Sequence, residues 1–531
     1  MKDRNSIRPI MYHSGIRAAD VGVPDILPGN PPVNNSDRSR AASRRRLAIF
    51  VPALGLAMLG CKKSATSPNT AVKLAFTVQP SNASVDSSIV PAILVTAEDE
   101  SGNPVTSSSM FVTLAIAANP GGAVLSGSAS VNTISGVATF PYLSLNKAGT
   151  GYTLTASATN LTGATSTPFN VTSLTTGSFA SVSAGSNSTC GVATSGVGYC
   201  WGNNSIGQLG NGATANATTP FKVAGGITFS SVSAGSLQNY ACGLATTGAA
   251  YCWGYNDYGQ LGRGNLTNST APVAVTGNLT FTALSAGGGG QACGLVAGGA
   301  AYCWGWNGSG QLGSPAGAFS TTPAPVSGGL SFKAISAGQN GTTCGVTIGG
   351  SAYCWGNNVD GEIGNGTTTN SGTPVAVSGG LSFKSISAGF ASTCGLTPAG
   401  AAYCWGDNTY GELGNGTTTN SLTPVAVGGG FTFSVISAGD AFACGVTTAG
   451  AAYCWGYNGL GQLGIGSTKR SSTPVALPGG MSFASISAGY ASACAVTPGG
   501  AAYCWGDNTS GQLGNRSTIQ ALWPELVATP P

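Results

Sequence analysis

The sequence predicts an all-β protein, a seven-bladed β-propeller preceded by a β-sandwich. Three observations carry that expectation. The pattern C-x9-C-W-G-x-N-x-x-G-[QE]-[LI]-G occurs seven times between Cys190 and Gly514. The phenylalanine that opens each unit stands at 179, 229, 281, 332, 383, 433 and 483, a spacing of 50 to 52 residues. Composition agrees, since 84 of 531 residues are Gly and only 7% are charged, as in a turn-rich β protein.

The first element, residues 1–60, reads as a leader with an export signal. Arg44-Arg45-Arg46 precede an apolar run from Leu47 to Leu59 that ends at Gly60-Cys61. A positive region, a short apolar region and a small residue before cysteine form a secretory signal rather than a membrane span. "MLGC" resembles the lipobox of bacterial lipoproteins, which implies cleavage before Cys61 and its diacylation. Residues 1–63 hold eleven Lys/Arg against four Asp/Glu, and residues 64–531 hold nine against twelve. Past the leader the chain is close to neutral and has no basic stripe for phosphates, so nucleic acid is not an expected partner. Membrane contact is expected through the lipid anchor alone, on an exported outer-membrane, surface or secreted protein.

Residues 61–71 form a polar tether. Residues 72–175 follow as a domain of short alternating strands: "KLAFTV", "AILVTAED", "FVTLAIA", "GVATFPYLSL", "GYTLTASAT" and "FNVTSL". About seven strands in ~100 residues predict a β-sandwich. This stretch resembles bacterial immunoglobulin-like domains of surface proteins, which implies an immunoglobulin-like β-sandwich serving as a spacer. It contains no cysteine.

Residues 178–531 are the repeat array. Each unit reads F-x-x-[VIL]-S-A-G, C-[GA]-[VL], Y-C-W-G-x-N-x-x-G-[QE]-[LI]-G, then Pro and a short apolar strand. Four strands per unit cannot cover both faces of their own sheet, so neighbours must stack. Closing the stack into a ring removes its exposed ends. The motifs "SAG", "CGL" and "YCWGxNxxGQLG" resemble the repeat of the regulator of chromosome condensation family. That resemblance implies a seven-bladed propeller. It implies function only weakly, because the founder is a nucleotide exchange factor for a small GTPase that an exported chain would not meet. Secreted bacterial relatives include a β-lactamase-inhibitory protein, which makes a pure binding module an expected use of the architecture. Light sensing through clustered tryptophans, known in a plant relative, is disfavoured, because Trp201, Trp253, Trp304, Trp355, Trp405, Trp455 and Trp505 recur too regularly to be anything but packing.

Fourteen cysteines form seven pairs ten residues apart: Cys190 with Cys200, Cys242 with Cys252, Cys293 with Cys303, Cys344 with Cys354, Cys394 with Cys404, Cys444 with Cys454, and Cys494 with Cys504. If each pair faces across a hairpin, the loop has three residues, with a positive-φ position that all seven units fill with Gly, from Gly196 to Gly500. Counting outward from that bulge puts the cysteines on a non-hydrogen-bonded site, within disulfide reach. Disulfides are the expectation in an exported chain, against buried thiols in a reducing compartment. Metal is not expected, because two thiolates per hairpin lack a third ligand.

The single histidine, His13, lies in the leader. Serine–histidine and cysteine–histidine catalysis are therefore excluded for the mature chain, and no cofactor is expected. Carboxylate chemistry leaves Glu362 and Glu412, but these fill the position held by Gln208, Gln260, Gln311, Gln462 and Gln512, which favours a structural role in the turn. "NNVDGE", Asn357 to Glu362, is a set of turn formers more than a calcium loop. The expected function is that of a non-enzymatic scaffold binding a protein or surface glycan, with a carboxylate-based carbohydrate-active enzyme as the alternative and a GTPase regulator as the second. Specificity is expected in positions that vary between units: Tyr240, Tyr255, Trp306, Phe390, Asp407, Tyr410, Phe442, Tyr457 and Tyr490.

Overall fold

The computed structural model describes residues 70–529 except 86–88, 90, 142, 173–177 and 316. The leader, most of the tether and Cys61 lie outside the described residues. Among these residues no helix is long and apolar enough to cross a membrane.

Between residues 73 and 172 the predicted strands form. Lys73–Val78, Ile93–Glu98 and Val137–Phe140 form one antiparallel sheet. A second sheet is centred on Phe111–Ala118 and Gly149–Ser157, with Phe169–Thr172 beside the latter. Alternation fixes which side chains turn inward: in Phe111–Ala118, Val112 and Leu114 are buried while Phe111, Thr113 and Ala115 face solvent. Both sheets contribute to one apolar core with Val95, Phe140, Leu154 and Tyr152. Four strands of two or three residues, Ala83–Ser84, Leu125–Ser126, Ser130–Asn132 and Ala164–Thr165, add to those the alternation predicts. Such short edges carry too little alternation to be read from sequence.

The array is a propeller of seven four-stranded sheets, each made from strands consecutive in the chain. In blade 1 these are Phe179–Ala184, Ser188–Ala193, Gly198–Gly202 and Ala217–Lys222. First strands of neighbouring blades touch around the ring and so line its centre. Second strands are buried, apart from the last residue in blades 3, 4 and 6, since blades cover both their faces. The glycine after the first cysteine has a packing reason: a Cβ on Gly191 would stand 2.7 Å from the Phe179 ring.

Three hydrogen bonds repeat at all seven blade interfaces. The opening Phe N–H of each blade donates to the hairpin Gly carbonyl of the preceding one, as in Phe229 to Gly196 at 2.8 Å. The Ala N–H of each S-A-G donates to the preceding blade's Ser Oγ, as in Ala234 to Ser183 at 3.0 Å. Each Trp Nε1–H donates to the carbonyl of the preceding blade's [QE] residue, as in Trp405 to Glu362 at 2.8 Å. The closing interface uses the same set: Phe179 to Gly500 at 2.8 Å, Ala184 to Ser487 at 3.0 Å, and Trp201 to Gln512 at 2.9 Å. The ring therefore closes without a strand exchanged between the chain's ends.

Candidate binding face

The geometry of one blade decides which loops share a face. Second and third strands pair antiparallel with Ser188 opposite Gly202, and Asn203 N–H donates to Asn187 O at 2.8 Å. The S-A-G turn and the W-G loop therefore emerge on the same side of the ring. The Cys hairpin and the Gly225-Gly226 turn emerge on the other. Both sets of variable residues, those after S-A-G and those after W-G, thus converge on one face.

A repeated polar scaffold holds this face. The Asn of W-G-x-N is buried in every blade: Asn408 Oδ1 accepts from Leu413 N at 2.9 Å, and its Nδ2 donates to the carbonyls of Thr417 and Thr419 at 3.1 and 3.0 Å. One side chain thereby pins both ends of the long loop. Each [QE] side chain accepts from the N–H two residues before it, as Glu362 does from Asp360 at 2.9 Å and Glu412 from Tyr410 at 2.8 Å. Both glutamates are buried, 1% exposed, in the turn role that Gln fills elsewhere. The role of the asparagines was not drawn from the sequence, although its signal, one Asn in every unit, was there.

Seven predicted face residues are half-buried at this surface: Tyr255, Trp306, Phe390, Asp407, Tyr410, Tyr457 and Tyr490. Tyr255, Trp306, Tyr410 and Tyr457 fall into two aromatic clusters. Tyr258 packs against Tyr255 with ring centroids 6.2 Å apart and against Trp306 at 4.7 Å, joining blades 2 and 3. Tyr410 and Tyr457 meet edge to face at 4.9 Å across blades 5 and 6, with the Arg470 guanidinium 6.0 Å above the Tyr410 ring. Arg470 carried no motif and was not singled out by sequence. Tyr240 and Phe442 are corrections. Both are 0% exposed, because they open second strands, which neighbouring blades cover, and the Tyr240 hydroxyl donates to the Gln291 carbonyl. Neither can contact a partner.

The face is also where carboxylates gather. Of eight Asp and Glu after residue 177, seven (Asp257, Asp360, Glu362, Asp407, Glu412, Asp440 and Asp507) occupy W-G or S-A-G loop positions, and Glu525 alone does not. Burial first, then the nearby Asp407 charge, pushes the Asp440 carboxyl up to about 7. Burial likewise raises Glu362 to about 7, and burial together with Asp407 raises Glu412 to about 8. Burial and the Asp440 charge raise the Tyr490 phenol. Among the described residues no three acidic or Cys side chains stand close enough to hold a metal ion. Away from this face a cavity of about 460 Å³ is lined by Val85, Met481, Pro498 and small polar residues, with no ionisable side chain.

Away from this face, the cysteines stand in disulfide-like pairs, each joining the second and third strands of its own blade. Cys190 lies opposite Cys200 in the ladder with Cα atoms 4.1 Å apart. Cys242 and Cys252, and likewise Cys344 and Cys354, stand 4.0 Å apart. The separation is 4.1 Å for Cys293 and Cys303, Cys394 and Cys404, Cys444 and Cys454, and Cys494 and Cys504. All fourteen are 0% exposed, so they lie within the blades and offer nothing to a partner.

Comparison with known proteins agrees with this architecture. The family model of the regulator of chromosome condensation (RCC1) repeat matches residues 195–242, 247–293, 298–344, 349–396, 399–446, 449–496 and 499–531. A second model of the same repeat matches 229–260, 332–362, 383–412, 433–462 and 483–512. The first set is out of phase with the blades: each of the first six matches runs from one blade's hairpin to the next blade's second strand. Curated relatives include the ultraviolet-B receptor UVR8 of Arabidopsis thaliana, 30% identical over 36% of this chain and 44% of that protein. The human E3 ubiquitin-protein ligase HERC2 is 29% identical over 37% of this chain and 4% of its own length. The chain thus spans less than half of either relative. Among solved structures, human WBSCR16 superposes with TM-score 0.57 at 19% identity, covering 62% of this chain and 94% of that one. Prp20p of Saccharomyces cerevisiae superposes with TM-score 0.55 at 20% identity, covering 64% and 87%. At these identities the likeness is one of fold.

Proposed function

Because this chain belongs to the regulator of chromosome condensation (RCC1) repeat family, we propose that its propeller is a protein-binding scaffold and that the S-A-G and W-G loops form the binding face. The observation that carries this reading is the convergence of both variable sets on one face, where aromatic clusters stand beside most of the propeller's carboxylates. Half-buried aromatics on a rigid frame bury large area at low entropic cost when a partner docks. The solved Prp20p structure is described with binding to Gsp1p and histones, an instance of a propeller of this fold engaging proteins. Glu362 and Glu412 are buried in turns rather than facing each other across a cleft, which supports binding over carboxylate catalysis.

In the same reading the chain is exported, anchored through diacylated Cys61 and held off the membrane by an immunoglobulin-like sandwich over residues 72–175. The seven cysteine pairs are disulfides in the mature protein. Alkylation in denaturant without reductant, followed by mass spectrometry, should then find no modified cysteine from 190 to 504. Fourteen alkylated thiols would refute the bridges.

The binding reading is tested by capture from envelope extracts. Wild type and Ile348→Ser, a change at an exposed residue of the opposite face, should retain the same protein. The double variant Tyr410→Ala/Tyr457→Ala should lose it. Equal capture by all three would place the binding surface elsewhere, and capture abolished by periodate treatment of the extract would identify a glycan instead.

A further inference from the structure

Where the residue after W-G is polar, it meets the [QE] residue five positions on beneath the binding face, and three blades show how such a pair is satisfied. In blade 1, Gln208 Nε2 donates to Asn203 Oδ1 at 2.8 Å. In blade 4, Asn357 Nδ2 donates to Glu362 Oε1 at 2.8 Å. In blade 7, Gln512 Nε2 donates to Asp507 Oδ2 at 2.7 Å. Each pair contains a carboxamide, so one member always has a hydrogen to give. Blade 5 fills the same slot with Asp407 and Glu412, two carboxyls and no carboxamide.

Two ionised carboxylates cannot share a hydrogen bond, and the Asp407 charge bears directly on the buried Glu412 carboxyl. The remaining groups around the slot do not relieve this. Asp407 accepts from Thr409 N–H at 3.3 Å and from its hydroxyl at 2.7 Å, while Glu412 accepts from Tyr410 N–H at 2.8 Å. Asp440 from blade 6 and Glu362 from blade 4 add negative charge within reach of Asp407, and Asp360 faces Glu362. Tyr490 from blade 7 faces Asp440. The nearby guanidinium, Arg470, lies over the Tyr410 ring, and among the described residues the only salt bridge is Lys73–Glu98.

We propose that Asp407 and Glu412 hold one proton between them, and that losing it adds negative charge to the blade 5 corner of the binding face. The proton stands where the carboxamide hydrogen stands in blades 1, 4 and 7. Asp407 sits at the centre of the cluster, so its partnership with Glu412 also sets the field felt by Asp440 and Glu362. Partner binding through this corner is then pH-dependent, weakening for an anionic partner and strengthening for a cationic one as the pH rises. This consequence rests on the reading of the face as a binding surface, whereas the shared proton does not.

The test is a carbon-13 NMR titration of the folded full chain, labelled at the side-chain carboxyl of its five glutamates. One glutamate should titrate with a midpoint near 8. Glu412→Gln should abolish that step, and it recreates the Asp–Gln pair of blade 7. Asp407→Asn recreates the Asn–Glu pair of blade 4 and should move the step down to the range of Glu362, near 7. Because each variant copies a pair the protein already uses, both should fold. The proposal is overturned if all five glutamates titrate below about pH 6, the ordinary carboxylate range, or if Asp407→Asn leaves the alkaline step in place. Failure to capture any partner at any pH would refute the binding reading alone.

Discussion

Single residues in this propeller are set by what they touch in the next blade. Trp405 is 0% exposed and its indole N–H is the donor for the Glu362 carbonyl across the interface. Trp405→Phe keeps an aromatic ring but leaves that carbonyl unpaired, at a cost of about 1–3 kcal/mol. Denaturant unfolding should show a lower midpoint with unchanged slope. The acidic residues predict an unusual pH response. Glu362, Glu412 and Asp440 have carboxyl groups raised to about 7, 8 and 7, so the folded state binds more protons than the unfolded chain above the ordinary carboxylate range. Their contribution to stability is fully present below the ordinary carboxylate range, declines as the pH rises above it, and is lost once the pH passes those values. The melting temperature should fall between about pH 5 and about pH 8, and Glu362→Gln/Glu412→Gln should flatten that fall. A wild-type melting temperature that rises over the same interval would contradict the assignment.

At the scale of the element, the Cys hairpin is where backbone, bridge and interface coincide. Gly400 has φ of +88°, and a Cβ there would stand 2.6 Å from Thr432 Cγ2 and 2.9 Å from the Phe433 carbonyl. The same Gly400 carbonyl accepts the Phe433 N–H at 2.8 Å, so strain in the hairpin is passed to the next blade. Gly400→Ala should destabilise by more than the ~1 kcal/mol of an ordinary positive-φ change, measured by the same unfolding assay. A disulfide closing each eleven-residue loop, such as Cys394 to Cys404, should contribute about 2–3 kcal/mol in the chain-entropy model. Reductant should therefore lower the unfolding midpoint substantially, and an unchanged midpoint would mean that packing alone holds the blades.

For the whole molecule, the consequence is that no blade is dispensable. Deleting residues from 483 onward removes the acceptors of Trp201 and of the Phe179 N–H and uncovers the apolar faces that blades 6 and 1 bury against blade 7. The truncated chain should bind a hydrophobic dye, and its propeller should not unfold in one cooperative transition. Retention of that transition would show that the array is stable as an open stack.

The repeat, its period, the four strands per unit and the hairpin glycines were legible in the sequence because they are local or strictly periodic. Cysteine parity was legible for the same reason, since a three-residue loop fixes which residues oppose each other. The candidate site was only half legible. Variation between units flagged Tyr255, Trp306, Asp407, Tyr410 and Tyr457, but it flagged Tyr240 and Phe442 as readily, and these are buried. Variation reports that a position is not part of the repeated scaffold, and burial depends on what the neighbouring blade places over it. Arg470 above Tyr410, and Asp407 within reach of Asp440, likewise join residues from different blades. By itself the sequence determined the blade, because a blade is built from strands consecutive in the chain. Only the tertiary structure decided the face, because its charge and aromatic clusters arise where loops some fifty residues apart are brought edge to edge by the closing of the ring.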